Sequence, residues 1–295
     1  MRGEHVVGGG KLNTPDPGLT WVGGNRNAED LDETGRKNLA ASSSGTSIFD
    51  PVLCELAYRW FSPPNGVVLD PFAGGSVRGI VAAKLGRAYI GCDLRPEQVE
   101  ANREQAARIC IGGIMPEWHI GDSAVTIPKL EVAADFVFSC PPYGDLEIYS
   151  DRDDDLSAMD HKGFISAYRA IIAAAVIKLR IDRFACFVVG DFRDKKGFYR
   201  NFVSDTIGAF EDAGARLYNE AILVTAVGSL PIRVGRQFEA GRKLGKTHQN
   251  VLVFCKGDPK RATQAVGECE FGELDAVADA QGGNTVVDAS LGIAP

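Results

Sequence analysis

Closely spaced cysteine and histidine pairs are missing from this chain, which argues against a structural zinc site. The seven cysteines (Cys54, Cys92, Cys110, Cys140, Cys186, Cys255 and Cys269) are odd in number and scattered, with no Cys-x-x-Cys spacing. Several sit inside apolar runs, so they read as reduced, mostly buried thiols of a cytoplasmic protein. No run approaches the roughly 18 to 20 apolar residues of a membrane span. The first residues, Met1-Arg2-Gly3-Glu4-His5, lack the apolar core of a signal peptide. Excess positive charge is missing too: the formal net charge is −7. That total speaks at first against a nucleic-acid partner, but its distribution matters more. Residues 258–295 carry 2 basic and 7 acidic side chains, whereas residues 46–257 carry 25 and 26. The body is near neutral, and a local basic stripe remains available to a polyanion.

What is present suits a soluble globular protein: 45% hydrophobic and 24% charged residues, enough for a sizeable core in 295 residues. Residues 1–45 are rich in Gly, Asn, Asp and Ser and read as an irregular arm. Asp50-Pro51 predicts an N-cap with proline at the first helical position and a helix through Phe61. Short apolar runs then alternate with helical patterns. Strands are expected at Val67–Asp70, Ala88–Asp93, Trp118–Ile120, Asp135–Phe138, Phe184–Gly190, Ala215–Val224 and Asn250–Phe254. Helices are expected to about Leu85, from Pro96 to about Ile109, over Lys162–Leu179 and over 198–213. Such alternation predicts an α/β fold with a mostly parallel sheet and helices on both faces. From residue 258 onward the chain is acidic and aperiodic, and a disordered tail is expected.

Four consecutive strand ends carry distinctive residues. The first runs into Asp70-Pro71-Phe72-Ala73-Gly74-Gly75-Ser76, a loop whose glycines let a ligand approach the backbone. It lacks the Gly-x-Gly-x-x-Gly of dinucleotide sites. The second ends in Asp93-Leu94, an acid about 20 residues after a Gly-rich loop, suited to ribose hydroxyls or to a helix cap. The third ends in Asp122-Ser123, an acceptor for an adenine amino group followed by a cap or turn residue. The fourth ends in Ser139-Cys140-Pro141-Pro142-Tyr143. Two prolines cannot continue a central strand, so this is a stiff loop at the edge where parallel α/β sheets bind ligands.

In this order the residues resemble the DNA amino-methyltransferases, which transfer a methyl group from S-adenosyl-L-methionine to an exocyclic base nitrogen. Asp70-Pro71-Phe72-Ala73-Gly74-Gly75 is similar to the family's cofactor loop. Thr46-Ser47-Ile48-Phe49-Asp50-Pro51 is similar to the segment covering the methionine end. Asp93 and Asp122 match the acids for ribose and adenine, and Cys140-Pro141-Pro142-Tyr143 matches the catalytic motif except at its first position. His248 to Lys256 resembles the family's final strand. The resemblance covers about residues 46–257, with a gamma-like motif order and wording similar to phage and prophage methylases. It implies a Rossmann-like methyltransferase fold with a seven-stranded sheet and an antiparallel last strand. It also implies Ser47, Phe49, Asp70, Phe72, Ala73, Gly74, Gly75, Ser76, Asp93, Leu94, Asp122 and Ser123 at the cofactor. The implied partner is double-stranded DNA, in a bacterial cell or phage-infected host, with no metal and no membrane; a homodimer is left open.

The family mechanism has a physical rationale. A base amine is a poor nucleophile because its lone pair is delocalised into the ring. The first motif residue and the carbonyl of Pro141 would accept its hydrogens, and Tyr143 would stack on a base flipped from the helix. Cys140 departs from the family's Asp, Asn or Ser, and a thiol is a weak acceptor. Ser139, Asp145 or a Cys140 thiolate would then take its place. Cys140 as a nucleophile toward cytosine C6, or as a tolerated small side chain, are the other readings. Between Thr225 and Gln249, Arg233, Arg236, Arg242, Lys243, Lys246 and His248 face a single acid, Glu239. This is the expected DNA surface, or else a solvated basic loop. Asp151 to Asp155 reads as a solvated acidic loop and Asp191 as a structural acid. Methylation of RNA or of cytosine C5, or cofactor binding without catalysis, are the alternative functions.

Overall fold

The computed structural model describes residues 49–143, 159–224 and 230–269, without the side chains of residues 230–233. The arm over 1–45, Ser47, Asp145, the acidic run Asp151–Asp155 and the tail from 270 lie outside the described residues.

The first helix, α1 (Pro51–Phe61), starts as expected: the Asp50 carboxylate accepts from Val52 N at 2.8 Å and Leu53 N at 3.3 Å, and Pro51 opens the first turn. Its inner face is Cys54, Ala57 and Tyr58, whereas Trp60 points outward. The alternation continues as β1 (Val67–Asp70), α2 (Val77–Lys84), β2 (Ala88–Asp93), α3 (Pro96–Ile109), β3 (Glu117–Ile120), α4 (Ser123–Lys129) and β4 (Ala134–Ser139). It goes on with α5 (His161–Lys178), β5 (Leu179–Val189), α6 (Phe202–Asp212), β6 (Arg216–Val224), α7 (Leu230–Gly241), β7 (His248–Lys256) and α8 (Pro259–Val266).

One seven-stranded sheet has the order β3-β2-β1-β4-β5-β7-β6. Strands β1 to β5 are mutually parallel, and β7 runs antiparallel to both β5 and β6. The expected Rossmann-like α/β class, with an antiparallel last strand, is therefore the observed one. The chain builds outward from β1 in one direction through β2 and β3, then returns to β1's other side with β4. The connections after β1 and β4 so leave toward opposite faces and open a crevice at their C-terminal ends, the topological switch point where such sheets bind ligands.

Strand alternation divides the core. Leu69, Val137, Ala185, Phe187 and Val189 face α5 and α6, with Phe164, Tyr168, Ile172, Phe202 and Phe210 between. Val68, Phe136, Phe138, Cys186 and Val188 face α1, α2, α3 and α8. Each fully buried large side chain contributes about 1.5–3 kcal/mol, so the sheet's rigidity rests on both layers. Burial pushes the thiols of Cys54 and Cys186 up, and that of Cys92 to about 12. These are uncharged packing groups.

Three expectations change. Strand β5 begins at Leu179, five residues before the apolar run, because its entry pairs with Ala134 while still half in solvent. Helix α6 begins at Phe202 rather than 198, since the preceding residues form a hairpin. The tail does not become disordered at 258. Asp258 caps α8 by accepting from Arg261 N at 2.9 Å, Ala262 and Val266 are buried one turn apart, and Arg261 Nε binds Asp182 at 2.6 Å. A single apolar stripe suffices to dock this helix, and the acidic composition of the following residues hides it.

Candidate active site

The Gly-rich loop is built around a buried ion pair. Asp70, at the end of β1, is fully buried, and both of its oxygens are engaged. Oδ2 accepts from Arg78 Nε at 2.6 Å and from the Tyr89 hydroxyl at 2.8 Å. Oδ1 accepts from Phe72 N at 3.1 Å and from the Ser139 hydroxyl at 2.6 Å. Arg78 projects from the first turn of α2 back over the loop and also donates to the carbonyls of Phe72 at 2.6 Å and Ala73 at 2.9 Å. The pair therefore shapes the loop from beneath. Nothing in the sequence pointed to Arg78; the one available signal is an arginine on a helix face otherwise made of Gly79, Ala82 and Ala83. That face must come close to the sheet: a Cβ on Gly79 would lie 2.7 Å from Trp118 and 3.0 Å from Tyr89.

Asp93 closes the other side of the loop. Its Oδ2 accepts from Gly74 N and its Oδ1 from Arg95 N, both at 2.9 Å. Asn102 of α3 donates to the Gly74 carbonyl at 2.7 Å, and Ser76 bonds Gln105. Burial raises the Asp93 carboxyl above the ordinary range, against the lowering effect of these donors and the Arg95 charge. Asp122 caps α4 by accepting from Ala124 N at 2.9 Å, and Ser123 donates to the Pro71 carbonyl at 2.6 Å. Leu94 follows Asp93 between β2 and α3, half-buried beside the loop. Phe49 packs edge-on against Phe138 and under the Arg78 guanidinium, 4.8 Å from its centre. Gly75 is half-buried beside Gly74. The predicted cofactor residues among the described ones thus gather at the ends of β1, β2 and β3, with Phe49 ahead of α1.

Ser139 is where the fourth strand end joins them. It is fully buried, and its hydroxyl is directed at Asp70. It therefore does not reach outward as a substitute amine acceptor, which corrects that expectation. Cys140 is half-buried and packs against the apolar cluster containing Cys54, Ala73 and Phe138. Pro141 is buried and Pro142 half-buried. Tyr143 is 7% exposed, set edge-to-face on Phe192 and Phe202, and its hydroxyl accepts from Gln249 Nε2 at 2.5 Å. A base would stack on this ring only after side chains move. Gln249, at the start of β7, is a second residue that sequence reasoning passed over.

The expected DNA surface is split. Helix α7 projects with residues 235–242 all exposed, so Arg236 and Arg242 face solvent, and Arg242 stacks on Phe238 at 4.9 Å. Arg233 lies in α7 with its side chain outside the described residues, and His248 is exposed at the start of β7. Lys243 and Lys246 are half-buried instead. A Cβ on Gly190 would lie 3.8 Å from both Lys246 Nζ and the Tyr143 hydroxyl, so Lys246 belongs to the strand-end site. Burial lowers its ammonium from the usual lysine range, partly offset by Asp191. Asp191 itself accepts from Val203 N at 3.1 Å, the structural role expected of it.

Residues 50–104, from α1 through most of α3, match the family model described as DNA methylase. This stretch is similar to DNA methylases. It holds Asp70, the Gly-rich loop, Arg78 and Asp93, the residues just described. Over 47 residues the chain is 51% identical to the Type II methyltransferase M1.MboII of Moraxella bovis, a match covering 16% of this chain and 18% of that protein. Solved structures with a similar shape include TrmN from Thermus thermophilus, at 16% identity and a TM-score of 0.47 over 75% of this chain and 52% of that one. Another is magnesium protoporphyrin IX methyltransferase from Synechocystis with bound SAM, at 14% identity and a TM-score of 0.44 over 75% of this chain and 81% of that one. Among the described residues no group of three or more His, Cys, Asp or Glu is arranged to hold a metal, and no helix is long and apolar enough to cross a membrane.

Proposed function

We propose that this protein transfers a methyl group from S-adenosylmethionine to the exocyclic amine of a base in DNA, adenine N6 or cytosine N4. The observation that carries the reading is the hydrogen bond from Ser139 to Asp70, which couples the Pro-Pro-Tyr strand end to the loop of the stretch that matches DNA methylases. Donor and acceptor sites then share one rigid crevice.

The residues fit the cofactor. Asp93 is a largely covered carboxylate whose burial penalty exceeds the help of its present donors, and the ribose hydroxyls would supply more. The cradle is close-built: a Cβ on Gly91 would lie 2.9 Å from the Ala73 Cβ. Asp93 would hold the ribose, the backbone of Ala73 to Gly75 the methionyl end, and Phe49 its cover. When bound, S-adenosylmethionine supplies an electrophilic methyl on a sulfonium.

The chain's own residues would do the remaining work. The Pro141 carbonyl accepts one amine hydrogen and localises the nitrogen lone pair. Tyr143, its hydroxyl held by Gln249, would support the base face once the side chains around its ring give way. Orientation within the rigid crevice provides much of the rate. Cys140 contributes size and packing more than acceptor strength. Double-stranded DNA is the substrate, with Arg236, Arg242 and His248 toward its phosphates.

Incubation with methyl-labelled S-adenosylmethionine and bacterial or phage DNA, followed by nucleoside mass spectrometry, tests the reading. N6-methyladenine or N4-methylcytosine is expected. Cofactor binding without label transfer to any DNA would instead support a non-catalytic module.

A further inference from the structure

Directly after β5, residues 191–200 (Asp-Phe-Arg-Asp-Lys-Lys-Gly-Phe-Tyr-Arg) fold back on themselves at the same sheet edge as Tyr143. Arg200 N donates to Phe192 O at 2.9 Å, and Asp194 N donates to Phe198 O at 2.8 Å. Gly197 N closes the turn onto Asp194 O at 2.9 Å, with Gly197 at φ 95°. The Asp194 carboxylate accepts from Phe198 N at 2.9 Å, which holds its carboxyl below the usual range. Arg193 lies 3.9 Å over the Tyr199 ring and donates to Gly197 O at 2.8 Å. The hairpin is thus internally braced, and yet its tip satisfies no need of the core. Lys195 and Lys196 are exposed, Phe198 is 72% exposed and Tyr199 46% exposed.

The hairpin's charge is net positive: Arg193, Lys195, Lys196 and Arg200 outnumber Asp191 and Asp194, both of which accept from backbone donors. Lys243, just past the end of α7, comes up against it: a Cβ on Gly197 would meet Lys243 Cε at 2.7 Å and Nζ at 2.8 Å. The base of the hairpin is anchored at the candidate acceptor site, since the Phe192 ring packs 6.3 Å from that of Tyr143. A rigid cationic turn carrying a bare aromatic ring matches the two needs of a polynucleotide, phosphate neutralisation and a stacking face.

We propose that the hairpin 193–200 is a DNA contact beside the methyl-acceptor site, with Lys195 and Lys196 on phosphates and Phe198 against a base. This rests on the methyltransferase reading and adds a surface to it. The hairpin meets Lys243 just past α7, so the proposed DNA-binding surface runs from Arg242 to the hairpin, whose base packs on Tyr143 through Phe192.

The test is a salt titration of binding to a fluorescently labelled mixed-sequence duplex, with S-adenosylhomocysteine saturating. The double variant Lys195→Gln/Lys196→Gln should weaken binding and reduce the slope of log K against log salt by about two. Phe198→Ala should weaken binding roughly fivefold or more with the slope unchanged, and Phe198→Trp should restore it. S-adenosylhomocysteine affinity, measured by calorimetry, should stay at the wild-type value in all three, which also reports intact folding. Wild-type affinity and slope in the variants would overturn the hairpin contact while leaving the methyltransferase reading intact. A wild-type protein that binds S-adenosylhomocysteine but no DNA, or that prefers labelled RNA, would overturn both.

Discussion

The Ser139 hydroxyl lies 2.6 Å from Oδ1 of Asp70, across 69 residues of chain, and joins the ends of two adjacent parallel strands at the switch point of the sheet. Strand ends are ordinarily free to diverge once their ladder stops. Here a fully buried hydrogen bond continues the registration by one residue, so a shift of either loop is felt by the other.

Ser139→Ala should therefore cost about 1–3 kcal/mol, because a buried carboxylate oxygen loses a donor that water does not replace. Methyl transfer should fall further than cofactor affinity does, since the variant loosens the acceptor loop relative to the donor loop. Urea denaturation and single-turnover kinetics on DNA check the two parts.

Arg78 is the stronger constraint. Its side chain is 6% exposed and that of Asp70 0%, and Arg78→Met would strand a buried carboxylate at a cost of about 3–5 kcal/mol. Arg78→Lys should recover little, because one ammonium does not span Asp70 and the carbonyls of Phe72 and Ala73. The double change Asp70→Asn/Arg78→Met should be less damaging than Arg78→Met alone. Thermal melts of these variants together with Asp70→Asn alone would reveal that non-additivity.

Cofactor affinity should depend on pH through Asp93. Burial holds its carboxyl above the ordinary range in the free protein, and hydroxyl donors favour the charged form, so binding lowers it. Affinity is then full at neutral pH and falls as pH drops through the raised free-protein value. For the same reason this group's contribution to folding is most favourable at low pH and is lost as pH rises through that value. Asp93→Asn should weaken S-adenosylhomocysteine binding at neutral pH and flatten the acid limb in calorimetric titrations.

Cys140→Ser should keep substantial methyl transfer, and Cys140→Asn should equal or exceed the wild type, because both supply a better hydrogen-bond acceptor than the thiol. Nucleoside mass spectrometry after incubation with DNA is the readout. Complete loss in both variants, together with label on cytosine C5 from the wild type, would move Cys140 to the role of nucleophile.

Much of the site was legible in the chain itself. Asp50-Pro51 determines a helix start because the cap and the fixed φ are local, and apolar runs broken by Gly and Pro determine the strands for the same reason. The alternation of strands and helices then implies that the strand ends share one edge, which groups Gly74, Asp93, Asp122 and Tyr143 from the sequence alone. Only the tertiary structure decided what holds the group together. Arg78 meets Asp70 and Tyr89 meets Asp70 across a loop and a neighbouring strand, and Gln249 meets Tyr143 over 106 residues. Such pairs depend on strand order and register, which no local signal encodes. The same holds for the hairpin at 193–200: its turn residues are local, but its proximity to Lys243 and Tyr143 arises because β7 inserts antiparallel between β5 and β6. Local preference made the pieces, and the sheet order brought their polar ends within hydrogen-bond reach.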